Sequence, residues 1–259
     1  MKIMWKGAIS FGLVTIPVRV FLATEERSVS FHQLHDRDHG RITYRRFCTE
    51  CGEEVDLAHI VRGHEIEKEQ YAVLTAAELD AVAVASSHTI DITQFVDLGE
   101  IDPVYFKRSY YLVPDAVGRK AYRLLAEAMR QDGRVAIAKV SFRDKEHLAA
   151  VRVRDEALVL ETMYWPDEIR APDFAELTTE AAFRPQELEM ARSLIDQLTE
   201  AWDPAAYRDE YRDALLTLIA QKAAGEEIVA PATPEPAPVV DLLAALRASV
   251  DAAKKRKAG

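Results

Sequence analysis

Residues 8–22, Ala-Ile-Ser-Phe-Gly-Leu-Val-Thr-Ile-Pro-Val-Arg-Val-Phe-Leu, constrain the fold more than any other stretch. Their apolar side chains alternate at period two, the pattern of a strand with one face in a core. Ile9, Phe11 and Leu13 fall on one parity, and Val14, Ile16, Val18 and Val20 on the other. The pattern predicts one long strand whose phase switches near Gly12 and Pro17, at a bulge or an edge, as a curved sheet needs. Residues 28–47 continue extended around the polar turn Asp36-Arg37-Asp38-His39-Gly40, and Thr75-Ala-Ala-Glu78 is a capping box that opens a short helix. Residues 88–97 alternate again, and 110–114 read as a strand stopped by proline. Three more strands are predicted at 134–142, 148–153 and 157–164, the first two joined by the turn Arg143-Asp144-Lys145-Glu146. One amphipathic helix over 119–131 uses Tyr122, Leu125 and Met129. Many strands with tight turns around one helix predict a barrel or a strongly bent sheet.

Beyond residue 184 the character changes. Pro185 starts a helix with Leu188, Ala191, Leu194, Ile195 and Leu198 on one face. Asp203-Pro204 is predicted to start a second, with Tyr207, Tyr211, Leu215, Leu218 and Ile219 on one side and Gly225 at its end. The organisation read from this is a core over 1–184, a helical arm over 185–228, an extended proline-rich linker over 229–238, and a C-terminal helix with a basic tail over 239–259. That last helix is expected from Val239 to residue 250, ahead of Lys254-Lys255-Arg256-Lys257.

A formal net charge of -10 argues against nucleic acid until its distribution is examined. Residues 104–154 carry twelve basic and five acidic side chains, whereas 64–103 carry one and nine, and 155–240 six and nineteen. An acidic exterior around a basic channel gives this pattern, and so does a chance arrangement of solvated faces. No apolar run is long enough to span a bilayer, and residues 1–7 lack the apolar run and cleavage site of a signal peptide, so a cytoplasmic protein is expected.

Two motif groups bear on chemistry. His32-x-x-His35 and Cys48-x-x-Cys51-Gly52 form a candidate zinc knuckle over 32–52, with four protein ligands and therefore a structural role for one zinc per chain. His39, His59 and His64 are nearby spare ligands for such a site; the other reading is a reduced, partly buried cysteine pair with the histidines on a surface hairpin. The second group is basic: Lys6, Arg41, Arg45, Arg46, Lys107, Arg108, Arg119, Lys120, Arg143, Lys145, Arg152 and Arg154, with Lys254, Lys255, Arg256 and Lys257 in the tail. Long cationic side chains spread over a surface, with no recognition helix, suit sequence-independent phosphate contact. Each of them singly also reads as an ordinary solvated charge. There is no P-loop, dinucleotide glycine pattern, Gly-x-Ser-x-Gly or His-Glu-x-x-His, and Glu65, Glu67 and Glu69 read as a solvated face, so a catalytic function is not expected.

Longer motifs carry a resemblance. Trp5-Lys6-Gly7-Ala-Ile-Ser-Phe-Gly-Leu-Val, Val29-Ser-Phe-His-Gln-Leu-His35, Arg45-Arg-Phe-Cys-x-x-Cys-Gly-Glu53, Tyr110-Tyr-Leu-x-Pro114 and Trp165-Pro-Asp-Glu-Ile-Arg170 resemble bacterial Ku, the DNA-end-binding family of non-homologous end joining. The resemblance covers residues 1 to about 225 and extends to the tail. It implies an α+β fold: a β-barrel core, a protruding DNA-encircling bridge and a C-terminal helical arm. It further implies a nucleoid-associated homodimeric ring that threads onto double-stranded DNA ends, protects and bridges them, and recruits an ATP-dependent ligase. The basic strands at 41–46 and 107–154 would line the channel, and the acidic helices would lie away from DNA or against the partner subunit. Tyr207, Tyr211, Leu215 and Ile219 are candidates for dimer contact, and Val239, Val240, Leu242, Leu243 and Leu246 for docking the ligase as an amphipathic helix. Two other classes stand beside this one. A zinc-containing nucleic-acid enzyme, such as a lyase acting through a lysine amine at damaged ends, would be trapped on abasic DNA by borohydride, but Lys6, Lys68 and Lys107 have nothing beside them that requires Schiff-base chemistry. A zinc-ribbon interaction protein would not distinguish linear from circular DNA.

Overall fold

The structure is a computed structural model and describes residues 1–82, 88–142, 145–178, 182–225 and 242–258. It divides into two units, one of Met1–Arg27 with His32–Ala171 and one of Ser28–Phe31 with Pro172–Gly259.

The first unit is built on a closed seven-stranded barrel. Its strands are β1 (Trp5–Phe11), β2 (Val14–Leu22), β5 (Thr89–Asp97), β6 (Phe106–Pro114), β7 (Arg134–Phe142), β8 (Lys145–Arg154) and β9 (Ala157–Met163), in the order β1-β2-β6-β9-β8-β7-β5. All neighbours are antiparallel except β1 and β5, whose parallel pairing of Ala8, Ile9 and Ser10 with Thr89, Ile90 and Asp91 closes the ring. The long N-terminal strand expected from the sequence is instead two strands. Gly12, at φ +59°, starts a two-residue turn that folds Val14 back onto Phe11 and Val20 onto Trp5. A positive φ at the first turn position matches the twist of a hairpin, and glycine adopts it without strain. The parity switch at Gly12 is therefore a reversal of direction. Ile9, Ile16, Val18 and Val20 all end in the core. Pro17 is tolerated because β6 ends at Pro114 beside Val18, and the Pro17 carbonyl accepts from the Asp115 N–H just past that end.

One mouth of the barrel is plugged by α2 (Arg119–Asp132). Tyr122, Leu125, Ala126 and Met129 recur at helical spacing and are buried in the barrel core. Burial of Leu125 and Met129 stabilises by about 1.5–3 kcal/mol each. The Tyr122 hydroxyl donates to the Leu112 carbonyl and accepts from the Leu158 N–H, both at 2.6 Å, which ties α2 to β6 and β9.

Between β2 and β5 the chain makes an excursion, 23–88, of which residues 23–82 and 88 are described. They hold a turn at Asp36-Arg37-Asp38 with a bridge from Leu34 to Arg41, a second bridge from Phe47 to Glu54, and a hairpin of β3 (Arg62–Glu67) and β4 (Gln70–Leu74). α1 (Ala76–Val82) follows, and the Thr75 N–H and Glu78 carboxylate close the expected capping box at 2.8 Å.

The second unit holds α3 (Ala175–Thr178), α4 (Pro185–Leu198), α5 (Glu210–Ala224) and α6 (Leu242–Ala258), and α6 packs on α4. Two boundaries differ from the sequence reading. Asp203-Pro204 makes only one 3-10 turn, because Tyr207 returns to an extended backbone; α5 starts later, where the Asp209 carboxylate accepts from the Arg212 N–H at 2.9 Å. The C-terminal helix runs on through the Lys254–Lys257 stretch to Ala258, since nothing in Ala-Lys-Lys-Arg-Lys opposes helix. Arg143, Val239, Val240 and the linker 229–238 lie outside the described residues.

Candidate nucleic-acid interface at one barrel mouth

The mouth opposite α2 is where β2 ends, β5 and β6 begin, and β7 turns toward β8. Aromatic side chains fill it. The Trp5 indole stacks on His88 with centroids 6.2 Å apart, and meets Phe142 edge-on at 5.5 Å. Phe142 also contacts Tyr110 at 5.5 Å and His147 at 5.9 Å. The Trp5-Lys6-Gly7 motif acquires a physical reason here. A Cβ on Gly7 would stand 2.0 Å from the indole Cη2 and 2.1 Å from the His88 carbonyl oxygen, so the ring can fold back only over glycine.

A cleft of about 700 Å³ opens over this cluster and is rimmed by Lys107, Arg108 and Lys145. Lys107 Nζ stands 4.6 Å from the Tyr164 ring centroid. Among the described residues, none of these three cations has a carboxylate within ion-pair distance. Lys145 and His147 are two apart on β8, so strand periodicity puts both on the same face. Burial, then Lys107 and Lys145, push the His147 imidazole below its ordinary range, against an opposite pull from Glu168. The mouth thus gathers cationic side chains, which disfavour the protonated form of His147 and favour an incoming anion.

The remaining basic residues are not gathered there. Arg119, Lys120 and Arg154 stand at the α2 mouth, Arg154 3.9 Å from Asp155. Arg41, Arg45 and Arg46 lie on the 23–88 excursion, where Arg45 pairs with Glu54 at 3.0 Å. Lys6 is exposed on β1 beside Trp5, and Lys68 lies in the β3–β4 turn. Arg152 is engaged internally. Its Nε and guanidinium Nη2 donate to Glu161 Oε1 at 2.9 and 2.6 Å, while the Ser109 hydroxyl donates to Oε2. Glu161 is only 5% exposed, so this ion pair with its hydroxyl donor ties β6, β8 and β9 together. Lys254 is exposed on α6, and the side chains of Lys255, Arg256 and Lys257 lie outside the described set.

The four residues expected to hold zinc are split between two turns. Cys48 and Cys51 come together at the tip of the 46–55 turn, where the Gly52 N–H donates to the Cys48 carbonyl at 2.9 Å. Backbone N–H groups of Cys51 and Glu50, then the Cys51 thiol, draw the Cys48 thiol below its ordinary value. His35 Nδ1 faces Asp38 at 3.2 Å in the other turn. Among the described residues, no group of three or more His, Cys, Asp or Glu side chains is placed to hold a metal, so the arrangement does not fit tetrahedral zinc. Sequence reasoning also missed His147, Tyr110, Phe142 and Thr162 as part of the cleft; the Lys145-x-His147 spacing was the available signal.

Comparison with known proteins adds to this picture. The family model for the Ku70/Ku80 beta-barrel domain matches residues 10–190. The protein named "Non-homologous end joining protein Ku" from Frankia casuarinae is 48% identical over 260 residues, covering 100% of this chain and 66% of that protein. Its namesake from Symbiobacterium thermophilum is 46% identical, covering 100% and 65% respectively. The one from Desulfitobacterium hafniense is 43% identical, covering 99% and 90%. The chain thus spans just under two thirds of the length of the first two relatives.

Proposed function

Because the chain belongs to the Ku β-barrel family, we propose that it binds the ends of double-stranded DNA, without reading sequence, in non-homologous end joining. The observation that carries this is the electropositive, aromatic-floored barrel mouth, with Lys107, Arg108 and Lys145 at the root of the 23–88 excursion. No described helix presents base-reading side chains in a row, and spread cations suit phosphate contact. In this reading two copies form a closed ring, with the excursions as the bridge and the cation-bearing mouths facing the duplex. A closed ring loads only over an end, so topology supplies end specificity. No catalytic role is assigned: the ring protects and bridges ends, and the C-terminal segment recruits an ATP-dependent ligase.

The test compares linear duplex with a covalently closed circle of the same sequence at moderate salt. Binding to the linear form alone, with protein retained when the DNA is closed after loading, is the expected result. Equal binding to both forms would refute the threaded ring.

A further inference from the structure

We propose that the cleft over the Trp5–Phe142–Tyr110 cluster seats one unstacked nucleotide of a DNA terminus, its phosphate on Lys107, Arg108 and Lys145 and its base against the rings. This rests on the DNA-end reading and deepens it by giving the strand terminus a place to go. Cations alone are enough to hold a duplex backbone, which presents only phosphate and sugar to a surface. This mouth has more than cations. At about 700 Å³ it lies within the size range of small-molecule sites, and its floor is aromatic. Rings and cations within one cavity suit a nucleotide, whose base stacks on an aromatic face while its phosphate takes the charge. Bases within a duplex are stacked on both sides and cannot reach such a floor; a frayed or overhanging terminal nucleotide can. The three cations have no carboxylate partner among the described residues, so a phosphate would supply the missing countercharge. Among the described residues, the Glu168 carboxylate acts on His147 against Lys107 and Lys145.

The test is photo-crosslinking of the full chain to linear duplex carrying 5-iododeoxyuridine. In one substrate the label sits on the terminal nucleotide of a 5′-phosphorylated overhang, and in the other at a paired internal position. A closed circle with the internal label is the third arm. The terminal label is expected to crosslink to peptides containing Trp5, Tyr110 or Phe142, and the internal label is not. Lys107→Gln with Lys145→Gln should remove most of the terminal crosslink. Arg119→Gln with Lys120→Gln, the same charge change at the opposite mouth, should preserve the ratio of terminal to internal signal. Terminal crosslinks that map elsewhere, or persist undiminished in the Lys107/Lys145 variant, would overturn the seat. If the linear DNA is bound and the circle is not, that result removes the seat and leaves end binding standing; if the circle is bound equally, the end reading itself has failed.

Discussion

Gly7 has no side chain to contribute, yet it determines whether the aromatic floor forms. Because one of the three atoms a Cβ would strike is the His88 backbone oxygen, Gly7→Ala cannot be absorbed by a rotamer change. Overpacking of this kind costs about 1–3 kcal/mol. Urea denaturation should show Gly7→Ala losing that much, with a change in tryptophan emission as the Trp5 ring is displaced. Arg152 is the converse case, a residue the sequence offers as a phosphate contact and the structure engages with Glu161. Removing one partner of a buried, hydrogen-bonded pair leaves the other uncompensated. With the Arg152 side chain 30% exposed, the full penalty of a buried pair is discounted, to about 2 kcal/mol. Arg152→Met is expected to show that loss in denaturation while changing DNA affinity at constant salt less than Lys145→Gln does; a larger effect on affinity would return Arg152 to the interface. These two residues also show where sequence reading stops. The charge of Arg152 is visible in the sequence, but its partner lies across a strand pair whose register is not. The need for glycine at position 7 depends on a ring two residues away that folds back.

At the level of elements, periodicity carries most of what was legible. The strands from 88 to 164, the α2 stripe and the Thr75 capping box all exist where the alternation and capping residues put them, but β6 starts at Phe106, ahead of the expected 110, and β8 takes in Lys145 and Glu146 from the expected turn, pairing them with Phe142 and Ser141. The failures are local competitions. The phase switch at Gly12 reads as a bulge or an edge in one strand, and only the pairing of Phe11 with Val14 shows it to be a turn. Asp203-Pro204 is a sound helix start that loses to Asp209 because Tyr207, ring to ring with Trp202 at 5.1 Å, stays extended. The zinc knuckle has correct spacing, but spacing along the chain does not bring two turns together. α6 has a separate consequence for ligase recruitment. Val250 is 3% exposed and Leu243 and Leu246 are half-buried, so part of the apolar face proposed for ligase docking is already in use within the second unit, where α6 packs on α4. Truncation after residue 230 removes α6 and is expected to leave end binding intact while abolishing stimulation of the ligase. Unchanged stimulation in a nick-sealing assay would sink that assignment.

For the whole molecule, the governing fact is a net charge of -10 on a chain proposed to hold a polyanion. The two are compatible because charge is segregated along the chain, with twelve basic and five acidic residues over 104–154, and fields between exposed charges are screened beyond a Debye length of roughly 8–10 Å. If two copies each contribute Lys107, Arg108 and Lys145, the log–log slope of affinity against salt should be on the order of −5. A slope near zero, measured by anisotropy over a salt series, would contradict phosphate contact as the basis of binding.

The parallel β1–β5 seam also shapes how the chain is made. The β1–β2 hairpin leaves the ribosome before the other barrel strands, but the strand that covers the β2 edge does not start until Phe106. At translation rates of about 5–20 residues per second, that edge, with Ile16, Val18 and Val20 uncovered, waits on the order of 4–17 s. The ring is not complete until β9 ends at Met163. A nascent chain so arranged exposes an unpaired apolar strand while it grows, the condition under which chains pair with one another. Substitutions in the 23–88 excursion that slow the docking of β5 on β1 and of β6 on β2 should therefore reduce the yield of soluble protein in cells without lowering the stability of the protein that folds.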